Sequence, residues 1–169
     1  MDQNPNPHSG SGKIMLAIAW VLILGGLYWY FGDWQARETN PNPASVTDVQ
    51  RGDLTLTRNR AGHYVADGEI NGRRVTFLLD TGATWVALPL ALGRELGLKR
   101  GAPVTLQTAN GAAPGYQTRL ALVRMGPLGL TDVGAVMSEG LDPDVVLLGM
   151  SFLKRVEFTQ RGDQLILRQ

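Results

Sequence analysis

The 169-residue chain has 44% apolar residues, a net charge of +1 and no cysteine. These figures allow one domain of ordinary size with a core of its own, and they exclude disulfides, thiolate metal sites and cysteine nucleophiles. Two histidines, His8 and His63, are too few for a multi-histidine metal centre in one chain. No basic block or interleaved aromatic run points to nucleic acid. Carboxylate and hydroxyl chemistry remain.

In chain order, residues 1–13 read as a short disordered tail. Residues 14–31 (IMLAIAWVLILGGLYWYF) carry no charge. At helical rise this stretch is roughly 27 Å long, close to the ~30 Å hydrocarbon thickness of a bilayer. It ends in Tyr28, Trp29, Tyr30 and Phe31, with Trp34 just beyond, rings suited to the headgroup boundary. A cleaved signal peptide has a shorter apolar core and a small-x-small site, and bulky aromatics fill that place here. The stretch therefore reads as an uncleaved transmembrane anchor. Lys13 and the amino terminus precede it, so the positive side leans towards the cytoplasm. The expectation is a single-pass protein of the bacterial inner membrane with its main domain in the periplasm. Residues 32–50 turn polar, and Asn40-Pro41-Asn42-Pro43 discourages regular structure, so this stretch reads as a linker.

From residue 51 to 169 the pattern is short apolar runs punctuated by glycine. Strands are expected at 54–57, 63–70, 73–79, 104–108, 117–125, 133–137, 145–148, 156–159 and 164–167, with Asn71-Gly72 joining two of them in a hairpin. Only 90–96 and 150–154 read as helical. Many short strands with glycine turns predict an all-β barrel or sandwich. There is also an internal echo. Phe77-Leu78-Leu79 leading to Asp80-Thr81-Gly82 is matched by Val145-Val146-Leu147-Leu148 leading to Gly149, each run followed by a helical segment.

Asp80 follows an apolar strand directly and opens Asp-Thr-Gly-Ala-Thr. By itself the tripeptide can be a polar turn at a strand end. In peptide hydrolysis the chemistry needs two carboxylates close enough to share one proton, since like charges at that distance cannot both ionise. One then acts as base on a water while its protonated partner supports the substrate carbonyl. A buried strand end holds such a group rigidly. The hydroxyl of Thr81 can tie two loops together, and Gly82 lets a backbone N–H approach the carboxylate with no Cβ in the way.

Together, Leu79-Asp80-Thr81-Gly82-Ala83-Thr84, Thr108-Ala109-Asn110-Gly111 and Leu147-Leu148-Gly149-Met150-Ser151-Phe152-Leu153 resemble the retropepsin-like aspartic proteases, in particular their bacterial membrane-anchored single-domain group. The resemblance spans about residues 53–167. It implies a retropepsin-like acid-protease barrel, a single lobe closed by dimerisation and preceded by one transmembrane helix. It makes Asp80 the catalytic aspartate, with Thr81 and Gly82 completing its loop. Thr108, Ala109, Asn110 and Gly111 fall at the flap that closes over bound peptide, though Asn110-Gly111 also reads simply as a hairpin turn. Ala83, Leu147, Leu148 and Gly149 support the active-site loop. Trp85 departs from the pattern and reads as a core residue in preference to a dimer contact or a pocket wall.

No other Asp is followed by Thr-Gly or Ser-Gly. Asp132-Val133-Gly134 lacks the hydroxyl, and Asp142-Pro143-Asp144 reads as a surface turn. The partner carboxylate is therefore expected from a second chain, making a homodimer. Arg51-Gly52-Asp53 and Arg161-Gly162-Asp163 read as Gly-Asp turns at strand edges, and His63 as a partly exposed side chain opening a strand and not a ligand. The expected function is cleavage of an extended polypeptide with no metal or organic cofactor. The alternative is a membrane-tethered β-domain that binds peptides without cutting them.

Overall fold

The computed structural model of the chain describes residues 9–42, 47–48, 52–108 and 111–169. The chain divides into two compact units, residues 1–38 and 39–169. In the first, a helix α1 (Ser9–Thr39) contains the apolar stretch Lys13–Tyr30, whose side chains are unburied. By length and composition this stretch is able to cross a membrane. The helix does not stop at residue 31, and it also takes in residues 9–13. Gln35, Ala36, Arg37 and Glu38 all favour helix, and Asn40 precedes Pro41, which disfavours the α conformation at the residue before it. The span read as a linker from 32 is therefore helical as far as Thr39.

The second unit is built from β1 (Thr47–Asp48), β2 (Asp53–Thr57), β3 (Val65–Ile70), β4 (Arg73–Leu79), β5 (Val86–Pro89), α2 (Leu90–Glu95), β6 (Pro103–Thr108), β7 (Gly111–Met125), β8 (Leu128–Ser138), β9 (Val145–Leu148), α3 (Met150–Leu153), β10 (Glu157–Arg161) and β11 (Gln164–Arg168). The larger sheet runs β3-β4-β9-β5-β8-β7-β6, and a further pairing of β3 with β7 closes it into a barrel. Strand β6 stands outside that ring and, among the described residues, pairs with β7 alone. The smaller sheet runs β1-β2-β11-β10.

Alternation explains the smaller sheet: Leu54 and Leu56 on β2 face inward with Leu165 and Leu167 on β11, while the residues between them face out. Inside the barrel Ile70, Phe77, Leu120, Val133 and Leu148 are fully buried, and Phe152 and Leu153 of α3 join the same core. Asn71 and Gly72 both have positive φ, 51° and 84°, the geometry a two-residue hairpin turn requires. The internal echo becomes one structural unit: β4 and β9 lie side by side and parallel, Leu79 opposite Leu148.

The stretch read as the start of the linker's irregular part is held firmly at its beginning. Asn42 is only 3% exposed. Its Nδ2 donates to the carbonyls of Thr57 and Val65, both at 2.8 Å, and its Oδ1 accepts the Thr57 N–H at 2.6 Å. One amide thereby substitutes for a strand between the ends of β2 and β3. Asn40 adds a bond from Nδ2 to Asp67 Oδ1 at 2.9 Å. Removing a buried amide of this kind leaves backbone groups unsatisfied, at a cost of about 2–3 kcal/mol. Asn42→Ala should therefore lower the thermal midpoint clearly more than Asn40→Ala. Equal shifts in thermal unfolding would contradict this role for Asn42.

Candidate active site

The Asp80 loop begins where β4 ends beside β9. The Asp80 N–H donates to the Leu148 carbonyl at 3.2 Å, continuing the β4–β9 ladder by one residue. The chain then turns back, with the Ala83 N–H on the Asp80 carbonyl at 3.2 Å. Within this turn the Gly82 N–H donates to Asp80 Oδ1 at 2.8 Å. A Cβ on Gly82 would lie 3.1 Å from that same oxygen, so a side chain there would crowd the carboxylate. Asp80 is half-buried, while Thr81 and Gly82 are exposed. Neither Asp80 Oδ2 nor the Thr81 hydroxyl has a hydrogen-bond partner among the described residues.

From beneath, the loop is braced by the turn from β9 into α3. The Met150 N–H donates to the Ala83 carbonyl at 2.8 Å and the Ser151 N–H to the Thr84 carbonyl at 2.9 Å. Gly149 permits this approach: a Cβ there would lie 2.2 Å from the Trp85 carbonyl oxygen and 2.6 Å from that of Ala83. Leu148 is fully buried and Leu147 half-buried beside it. Sequence reasoning quoted Ser151 only as part of a stretch, yet its hydroxyl joins two strands. It accepts the Val86 N–H at 2.9 Å and donates to the Gly134 carbonyl at 2.7 Å. Ser151 is a positioning residue for the loop. The signal for it was a small hydroxyl residue two positions after the Leu-Leu-Gly run.

Of the predicted flap residues, Thr108 and Gly111 face each other where β6 turns into β7, and the Thr108 hydroxyl donates to the Gly111 carbonyl at 2.7 Å. Ala109 and Asn110 lie outside the described residues. Gly111 has φ +103°, a conformation suited to glycine.

Trp85 is not a core residue. The residue is 41% exposed, and its ring lies against Gly134, where a Cβ would come within 2.7 Å of it. Trp85 immediately precedes β5, whose four residues are all buried, and the missing side chain of Gly134 on β8 leaves its ring a place at the surface.

The other acidic candidates are occupied elsewhere. Asp132 forms an ion pair with Arg119 on the surface. Asp142 accepts the Asp144 N–H at 2.9 Å and closes its own turn. Asp53 pairs with Arg168 at 2.8 Å, and Asp163 pairs with Arg58, so both Gly-Asp turns are tied within the smaller sheet. His63 is exposed and precedes β3. A cavity of about 800 Å³ lies along the β3–β4 hairpin between Arg73, Glu95 and Arg124, and Asp80 does not line it.

Comparison with known proteins places this geometry. Residues 66–155 match the family described as "gag-polyprotein putative aspartyl protease". A Sinorhizobium protein, "Uncharacterized protein in cobV 5'region", is 32% identical over 94% of this chain and 74% of its own length. Rickettsia prowazekii RP867 is 31% identical over 74% of this chain and 55% of its own. The crystal structure of a retropepsin-like aspartic protease from Rickettsia conorii superposes with a TM-score of 0.57 at 33% identity, covering 68% of this chain and 98% of that one.

Proposed function

The chain belongs to the retropepsin-like aspartic protease family, and from that premise we propose that it hydrolyses peptide bonds in a site formed between two copies, Asp80 facing Asp80. The observation that carries this reading is the Asp80 loop itself. One carboxylate oxygen is fixed by the Gly82 N–H, the other has no partner among the described residues, and the sequence holds no second Asp-Thr-Gly. A Thr81 hydroxyl with no partner among the described residues fits a loop completed by a twofold mate.

In such a pair one carboxyl is protonated and the other ionised, because two adjacent negative charges repel. The ionised carboxylate takes a proton from a water as its oxygen attacks the scissile carbonyl carbon. Its partner gives a proton to the carbonyl oxygen. The resulting gem-diol then breaks its C–N bond as the carboxyl proton passes to the leaving amine, while one gem-diol hydroxyl gives its proton to the ionised carboxylate, which leaves a carboxylic acid product and restores the singly protonated pair. Polypeptide lies extended between the paired loops and the hairpins carrying Thr108 to Gly111, its backbone adding to strand edges. Ala83, Leu147, Leu148 and Gly149 hold the loop in place. This scheme uses carboxylates and water, with no metal or organic cofactor.

The full chain in detergent micelles should cut a diverse peptide mixture with a bell-shaped rate profile centred at acidic to neutral pH. Only the singly protonated pair works, so activity falls on both sides. A rate flat from about pH 4 to pH 9 would contradict it.

The apolar stretch Lys13–Tyr30 would hold the protein in the bacterial inner membrane as a single-pass anchor, with the protease domain in the periplasm. Protease added to intact spheroplasts should then degrade the domain. Protection until the membrane is broken would reverse the orientation.

A further inference from the structure

Trp85 sits in a surface depression of about 280 Å³ on the outer side of the barrel. The depression is bounded by the residue that follows the Asp80–Thr84 loop, by the segment leading into the flap strand β6, and by the strand β7 that leaves the flap. Its wall contains three cations, Lys99, Arg100 and Arg119, and no carboxylate.

This surface is built and not incidental. The segment carrying Lys99 and Arg100 is pinned to β7 by three hydrogen bonds. The Gly101 N–H donates to the Gln117 carbonyl at 2.7 Å, the Gln117 N–H to the Ala102 carbonyl at 2.9 Å, and the Thr118 hydroxyl to the Lys99 carbonyl at 2.9 Å. The Arg100 guanidinium stands over the Tyr116 ring, 5.1 Å from its centroid, which orients the charge. Lys99 has no ion-pair partner among the described residues, and only Arg119 is neutralised, by Asp132. A glycine inside a strand sacrifices side-chain packing. At Gly134 that absence lets the indole come close to β8, with 41% of the residue's surface left in solvent. An exposed indole beside cations that lack carboxylates is a surface with a defined complement: an apolar side chain flanked by acidic ones.

We propose that this depression is an exosite for acidic stretches of the polypeptide substrate, beyond the residues held at the cleavage site. The inference rests on the protease reading above. A polypeptide leaving the cleft between loop and flap crosses this flank, placing an apolar residue on Trp85 and acidic residues against Lys99 and Arg100. In a twofold dimer the same surface occurs at both exits, so acidic residues are favoured on both sides of the cut.

The test uses the full chain in micelles carrying Asp80→Asn, so that peptide is bound and not consumed. Two labelled peptides share one apolar centre; one is flanked on both sides by glutamates and the other by glutamines. The acidic peptide should bind about fivefold more tightly at low salt, the size expected of a few partly exposed charge contacts. That advantage should shrink as salt is added. Lys99→Glu with Arg100→Glu, at two exposed positions where the fold should tolerate change, should abolish or invert the preference. Trp85→Ala should weaken both peptides. Equal affinities, absence of binding by either peptide, or a preference that survives the charge reversal would overturn the exosite. Failure of the unsubstituted chain to cut either peptide would instead count against the Asp80 pair and leave this binding comparison standing.

Discussion

Asp80→Asn should reduce peptide hydrolysis by about 10³-fold or more while leaving the fold intact, since general acid–base catalysis alone contributes up to about 10⁴-fold. The substitution keeps the size of the side chain and an oxygen able to accept the Gly82 N–H, now 2.8 Å from Asp80 Oδ1. The loop hydrogen bonds from Asp80 to Leu148 and from Ala83 to Asp80 use backbone atoms only and survive. What disappears is the capacity to hold or release a proton, and with it both halves of the mechanism. Initial rates on a peptide found in the mixture digest, measured beside circular dichroism and thermal melting, separate the two effects. Activity within about tenfold of the unsubstituted chain would remove Asp80 from the mechanism.

Gly149→Ala should be the most damaging small substitution in the domain. Its Cβ would meet two main-chain oxygens, those of Trp85 at 2.2 Å and Ala83 at 2.6 Å, and neither can rotate aside as a side chain can. Either the β9–α3 turn or the Asp80 loop must move. Overpacking of this kind costs about 3 kcal/mol or more, and whatever folds holds Asp80 out of place. The matched control is Gly129→Ala on β8, where no atom lies within 4 Å of the added carbon. That variant should stay within about 1 kcal/mol of the parent, the ordinary penalty range for glycine replacement at an open site. Thermal unfolding of the pair decides the point, and equal stability would show that the brace beneath the loop is unimportant.

How much of this was legible in the sequence depended on whether the signal was local. The Asn71-Gly72 hairpin, the alternation of Leu54 and Leu56, and the apolar run into Asp80 carry their structure in a few neighbouring residues, and the folded chain has all three. Strand β5 was missed because Val86 to Pro89 is buried on every side, lacks alternation and ends in proline. Strand β7 begins at Gly111, six residues before its predicted start at Gln117. Ala112, Ala113, Pro114 and Gly115 look like a loop, and pairing with β6, joined at Gly115 by β8, makes them a strand. The Asn42 clasp depends on Thr57 and Val65, and the Ser151 bridge on Val86 and Gly134; no local pattern announces contacts between residues so far apart. For Trp85 the general tendency of aromatics to be buried gave the wrong side, because a glycine on β8 leaves room for its ring at the surface.

The central claim is that the reacting carboxylates come from two chains, and subunit mixing tests it most directly. Equal amounts of normal and Asp80→Asn protein, allowed to exchange freely, should give roughly one quarter fully normal dimers if pairing is random. About half of the normal subunits are then trapped with a partner that cannot ionise, so activity should fall to about half that of the same amount of normal protein alone. If another carboxylate of the same chain completed the pair, the variant would be an inert bystander. Unchanged activity after verified exchange would contradict the shared active site.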